Sequence, residues 1–431
     1  MKLWDKGFTV DKKIENFTIG KDRILDIYIA KHDMLASKAQ ANMLAKVGLL
    51  SDEENEQLQK ALDQLLNDLE KGNFEIDEHF EDVHSKIESE LIKLTGDAGK
   101  KIHVARSRND QVLVALQLFQ KEYLEDVTDK VLELVDIMLK KAEEHKNDLL
   151  PGYTHFQAAM PNSFGMWFTA YAENLLSDLA FFKAAYHVAD QNPLGSGAGF
   201  GTSFPIDRLQ TTKELGFSEL AVSSVGAQML RGKTEKAVAS ALAMISGTLS
   251  KLSYDLVMYN SQDLGFVKLP NEMTTGSSIM PHKKNPDVFE LTRAHCNRIQ
   301  GVPNDIALII NNLPSGYHRD FQILKEVLFE PMMQFVDILD ILIFALPQLE
   351  IKSGYMDQEK YDGIYTVENI NYLIQNGTAF RDAYKEVGLS VEDGSYVPHK
   401  EFKTSHIGSI HNLGIDLIQD KVKRFKLVED K

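Results

Sequence analysis

Cysteine is nearly missing from this sequence, with Cys296 the single one among 431 residues. One thiol makes neither an internal disulfide nor a cysteine-based metal cluster, and a reducing compartment fits that poverty. Positive charge is also short. Lys plus Arg total 47 against 63 Asp plus Glu, so the balance is 47 − 63 = −16, which argues against a nucleic-acid or anionic-membrane surface. No apolar run is long enough to span a bilayer. The most apolar stretch, Ile338 to Leu349, contains Asp340 and Pro347 and falls short of the roughly 18 apolar residues a membrane helix needs. Met1 to Val10 carries Lys2, Asp5 and Lys6 and has no apolar core of a signal peptide. These absences predict a soluble cytoplasmic protein with neither membrane nor nucleic-acid partner. Hydrophobic residues make up 43% of the chain, enough for substantial cores rather than general disorder.

What the sequence does have is long helical periodicity. Between Gln111 and Lys146, Leu113, Leu116, Val127, Val131, Leu134, Met138 and Ala142 fall on helical spacings with no internal Gly or Pro. Similar runs cover Asn162 to Ala189, Arg231 to Asn260, Asp287 to Asn312 and Phe321 to Leu346, the last tolerating Pro331. Period-two patterns are scarce. Long helices with broad apolar faces are buried by packing on one another, so the fold class is all-α, with a central long-helix bundle. The predicted division is an N-terminal helical domain at 1–105, the central bundle at 106–350 and a small C-terminal domain at 351–431, where glycines and shorter segments multiply.

The polar and Gly-rich segments lie between these helices. KIHVARSRNDQV (Lys101 to Val112) crowds Arg106, Arg108, Asn109 and Gln111 at a helix start. Bidentate guanidiniums and unpaired helix N–H groups suit a carboxylate, although capping and surface pairing use the same residues. PGYTHFQAAMP (Pro151 to Pro161) sets Thr154 and His155 in a turn-rich segment, where an imidazole either works near neutral pH or is simply a capped loop residue. NPLGSGAGFGTSFPIDR (Asn192 to Arg208) has four alternating glycines but neither a dinucleotide fingerprint nor a P-loop ending. It reads as a loop that approaches an anion closely or turns between helices. TTGSSIMPHKKNPDVFE (Thr274 to Glu290) is the most informative. Its mobile Gly-Ser-Ser start, paired lysines and Asn-Pro suit a serine that moves a proton beside cations that hold a carboxylate or carbanion-like intermediate. SGYHRDFQILKE (Ser315 to Glu326) offers Tyr317, Gln322 and Lys325 as directional contacts.

Taken together and in this order, the segments resemble the argininosuccinate lyase family of the aspartase/fumarase superfamily. GSSIMPHKKNPD resembles the superfamily's signature loop, and the other four motifs, with MKLWDKGFT and EDVHSKIE near the start, point to the argininosuccinate branch. The resemblance implies reversible elimination of argininosuccinate to arginine and fumarate, in arginine biosynthesis. It implies no metal or organic cofactor, and a homotetramer whose helices form one bundle and whose active sites are shared between subunits. By position it makes Ser277 the catalytic serine and His155 the catalytic histidine, oriented or charged by Glu290. Lys283 and Asn285 become contacts to the carboxylate or the intermediate. Ser277 then serves as carbon-acid base and His155 as the acid for the guanidinium leaving group, with the reverse assignment as the alternative. Asn109, Thr154, Tyr317, Gln322 and Lys325 match substrate contacts, joined by Arg108, His84 and Arg231.

The sequence departs from the family in three places. Asp22, in GKDRILD, stands where the family offers a serine to the substrate. The segment AVSSVGAQMLRGKTE around Arg231 lacks the acidic residues that usually flank that arginine. The C-terminal end matches only loosely. The alternative readings are therefore another fumarate-releasing lyase, such as an adenylosuccinate-type enzyme, or a crystallin-like scaffold without activity.

Overall fold

The computed structural model describes residues 11–425; the MKLWDKGFT motif lies outside them. The architecture is mainly helical, with only three two-stranded ladders among the described residues. Packing groups the chain into two compact units. One comprises the chain up to Val127 with Phe181–Met244 and Ile299–Gln334; the other comprises Thr128–Ala180, Ile245–Arg298 and Phe335–Lys431.

The expected long helices form as Arg108–Glu144, Phe164–Ala189, Lys233–Tyr259 and Ile323–Ala345. The 37 residues of the first give a rod of about 55 Å at ~1.5 Å per residue. Pro331 lies inside the last of these helices. The run from Asp287 to Asn312 is a correction: it forms two helices, Asp287–Ile299 and Val302–Ile310. Gly301 caps the second, and a proline sits in its first turn, where a missing N–H is harmless. Continuous apolar periodicity concealed this break.

In the first unit, helix Ala30–Lys46 is followed after a short turn by Asp52–Glu70. Ser51 opens the latter with a complete capping box, its hydroxyl accepting from the Glu54 N–H while the Glu54 carboxylate accepts from the Ser51 N–H. Phe119, on the Arg108 helix, packs against Phe329 with ring centroids 5.1 Å apart. Tyr123, a turn further on, donates to the Met332 carbonyl at 2.8 Å. Lys121 forms a buried ion pair with Asp190 and donates to the Gly216 carbonyl at 2.8 Å.

In the second unit, Trp167 anchors an aromatic cluster with Phe168, Tyr171 and Tyr259. Its indole N–H and the Tyr171 hydroxyl both donate to Asp255, at 3.0 and 2.7 Å, so the polar handles of buried rings are satisfied. The segment Pro151 to Pro161, read from sequence as turn-rich, is instead an antiparallel hairpin of strands Leu149–Thr154 and Gln157–Ser163. Among the described residues no helix is long and apolar enough to cross a membrane.

Candidate active site

In the first unit, buried charge converges on one cavity of about 90 Å³, lined by His84, Arg108, Arg231, Tyr317, Gln322 and Lys325 together with acidic residues. Six of the sequence-predicted contacts therefore share one wall. Asn109 lies one residue along the Arg108 helix, half-buried, and is not among the lining residues.

Most of these side chains are held by a named partner. Asp82 caps helix Val83–Thr95 through the Ser85 N–H and lies 3.5 Å from Arg108 Nε. Lys325 is buried and pairs with Asp22 at 2.6 Å and Asp26 at 2.5 Å. Burial alone would lower the lysine's pKa, but the two carboxylates outweigh it and raise it. Burial also pushes the Asp22 carboxyl up to about 6, against the pull of Lys325. Asp22, the residue at the serine position, thus faces the cavity and balances its lysine. Gln322 donates to the carbonyls of Thr18 and Ile19 at 2.8 and 2.7 Å. Arg231 is buried, 2.7 Å from Glu235 in an ion pair that lacks hydrogen-bond geometry, and its Nη2 donates to the Phe321 carbonyl at 2.9 Å. This corrects the reading that AVSSVGAQMLRGKTE lacks an acid flanking Arg231: Glu235, its last residue, is the partner, one helical turn on.

The glycine loop serves an internal anion. Gly195 and Gly197, at φ 85° and 60°, each donate a backbone N–H to Asp110 Oδ2 at 2.9 Å, and Ser107 N–H donates to Oδ1 at 2.8 Å. Positive φ is what turns these two alternate N–H groups to one side. Burial pushes the Asp110 carboxyl up to about 6 despite these three donors. Of the two readings of this loop, approach to an anion or a turn between helices, the first describes these bonds, and the anion is a side chain of the same protein.

In the second unit, Thr154 and His155 lie at the hairpin tip and are exposed. His155 and Phe156 both adopt left-handed backbone, at φ 54° and 57°, the conformation of a two-residue type I′ turn that normally selects Asn-Gly. Two side chains are thus held in a costly conformation. Ser277, Lys283 and Asn285 share one loop, pinned at its neck by paired backbone bonds between Thr275 and Asn285. Ser277 Oγ accepts from the Met280 N–H at 3.2 Å, leaving its own proton to donate. Asn285 Nδ2 reaches the Gly276 carbonyl at 3.5 Å. Lys283 is exposed. Glu290, on helix Asp287–Ile299, is exposed as well, and within the single chain it makes no hydrogen bond or ion pair with His155 among the described residues. No group of three or more His, Cys, Asp or Glu side chains among the described residues is placed to hold a metal ion.

Sequence reasoning missed Asp26 and Asp33, carboxylates that are fully buried and partner Lys325 and His84. Both lie in segments whose local pattern marks only a helix, and their partners are 299 and 51 residues away.

A lyase family model matches residues 6–301, and the chain belongs to that family. Its relatives narrow the branch. An argininosuccinate lyase of Bacteroides fragilis is 50% identical over 423 residues, covering 98% of this chain and 95% of that protein. The argininosuccinate lyase of Thermotoga neapolitana is 40% identical over 386 residues, covering 90% of this chain and 97% of that one. The fold is shared more widely. A class II fumarase from Schistosoma mansoni superposes with a TM-score of 0.73 at 16% identity, covering 88% of each chain. An EDDS lyase variant with bound fumarate gives 0.74 at 19% identity, over 97% of this chain and 91% of that one. The chain is a lyase of the mainly helical fumarase/aspartase fold.

Proposed function

We propose that this chain eliminates argininosuccinate to arginine and fumarate, the reaction named by its relatives, and that it does so in the cytoplasm for arginine biosynthesis. The observation that carries the reading is identity of about half the residues to argininosuccinate lyases over nearly the whole chain. Ser277, His155, Lys283 and Asn285 are all present in their motifs.

In this mechanism Ser277, acting as its alkoxide and ending as the neutral hydroxyl, takes the proton from the carbon next to a carboxylate. Negative charge spreads into that carboxylate, where the Lys283 ammonium and the Asn285 amide stabilise it more strongly than in the ground state. The carbon–nitrogen bond then breaks, its electron pair passes to nitrogen, and His155 supplies the proton that completes the guanidinium of arginine. Glu290 orients and charges His155. Asn109, Thr154, Tyr317, Gln322, Lys325, Arg108, His84 and Arg231 hold the rest of the substrate. Chemistry of this kind requires a site shielded from water. His155, Lys283 and Glu290 are exposed in the single chain, which supports completion of the site by other copies, as a homotetramer.

The direct test adds argininosuccinate to the purified protein and follows fumarate by its ultraviolet absorbance. Release at enzymatic rates is expected. No release from folded, assembled protein overturns the assignment, and a panel with adenylosuccinate then distinguishes a different fumarate-releasing lyase from an inactive scaffold.

A further inference from the structure

Among the described residues that line the cavity, Arg231 Nε and His84 Nε2 are buried polar atoms without a hydrogen-bond partner; Arg231 Nε has the Glu235 carboxylate beside it, and His84 Nε2 has no ion-pair partner. His84 is 1% exposed, and its Nε2 is buried with no hydrogen-bond partner among the described residues. It lies on the wall shared with Arg108, Arg231 and Lys325. Buried ring nitrogens are nearly always satisfied by protein, water or a bound molecule.

The other side of the ring is fully specified. His84 Nδ1 lies 2.9 Å from Asp33 Oδ2, and Gln111 Nε2 reaches the two Asp33 oxygens at 2.9 and 3.1 Å. Burial would raise the Asp33 carboxyl, but His84, Arg106 and the Gln111 bond together hold it below the usual carboxylate range. An ionised carboxylate only accepts hydrogen bonds. His84 therefore donates through Nδ1, and Gln111 donates through its amide nitrogen. The Gln111 carbonyl is thereby turned towards Arg108, whose Nη1 lies 3.5 Å from it. The charge on Asp33 sets the direction of every bond from Arg108 to His84, and Nε2 is the ring atom left for the cavity.

We propose that Asp33, with Gln111, is a positioning residue that fixes the His84 ring so that Nε2 is presented to the bound substrate as a hydrogen-bonding atom. The inference rests on the substrate reading above, so turnover of argininosuccinate by the unaltered enzyme comes first; its failure would sink that reading and not this one. Two replacements of the ring separate its ends. In His84→Asn the amide reaches the position of Nδ1 and keeps the Asp33 contact, but nothing replaces Nε2. In His84→Gln the amide reaches the position of Nε2.

His84→Asn is expected to raise KM about tenfold, the loss expected for one charge-assisted hydrogen bond, with a smaller change in kcat, and His84→Gln to recover most of that loss. Asp33→Asn is expected to raise KM as well, and in the His84→Asn background to add nothing. Melting curves and sedimentation establish that each variant folds and assembles. If Asp33→Asn does not fold, Gln111→Met takes its place in the same cycle, with the same expectation. A wild-type KM for His84→Asn means that water alone occupies the Nε2 side and overturns the proposal. Effects of the Asp33 or Gln111 change that simply multiply with those of His84→Asn overturn the positioning role.

Discussion

Removing the Ser277 hydroxyl tests the proposed chemistry at its smallest scale. Ser277→Ala is expected to lower kcat by about 10²-fold or more, the usual contribution of a proton-transferring side chain, while the melting temperature stays within a degree or two. An unchanged kcat would remove Ser277 from the mechanism. A second single-residue effect concerns pH. Asp178 accepts a hydrogen bond from Thr248 Oγ1 at 2.6 Å, yet burial pushes its carboxyl from the ordinary 3.8 up to about 6. The folded state therefore favours the neutral acid. Stability from this preference is complete below 3.8 and lost as the pH rises through about 6. Asp178→Asn is always neutral, so its melting temperature should rise relative to wild type between pH 4 and pH 7; a constant difference across that window contradicts the raised carboxyl. Residues such as Ser277 and His155 stand out in the sequence because they sit in polar motifs between helices. Asp33 and Asp110 were not legible as partners, since what identifies them is a contact across the fold: to His84 for the first, and to Gly195 and Gly197 for the second.

At the scale of elements, the long helices were readable because period-3.6 burial repeats over many turns. The hairpin around His155 was hidden because it is short and rich in Pro and Gly, and its turn uses His-Phe where Asn-Gly is the recognisable signal. The structure makes that turn testable. Phe156 is 69% exposed at φ 57°, so Phe156→Gly gives up little burial and relieves a left-handed side chain. Stability should increase by about 1 kcal/mol, read as a higher melting temperature; a drop would mean that Phe156 packs against something in the assembled protein. The capping box at Ser51 points the other way. Ser51→Ala should cost about 1 kcal/mol, and denaturant titration with an unchanged slope is the measurement.

For the whole molecule, the proposed homotetramer predicts a sedimentation mass of about 194 kDa, four times the 48.6 kDa chain. Full activity in a species of one chain would show that the site needs no second copy. The −16 balance gives no hint that one cavity sets Asp22, Asp26, Glu81 and Asp82 against Arg108, Arg231, Arg319 and Lys325, a lining of balanced charge. The single cysteine, noticed first for what it excludes, has a practical consequence. Cys296 is fully buried, and its thiol is pushed up to about 12 by that burial, so it reacts slowly with maleimides and similar reagents. The natural sequence is thus already a silent background for chemical labelling. A cysteine introduced at exposed Ile279, two residues from Ser277, would take a fluorophore or spin label by itself, and the environment of the serine loop could be followed during turnover without first rebuilding the protein.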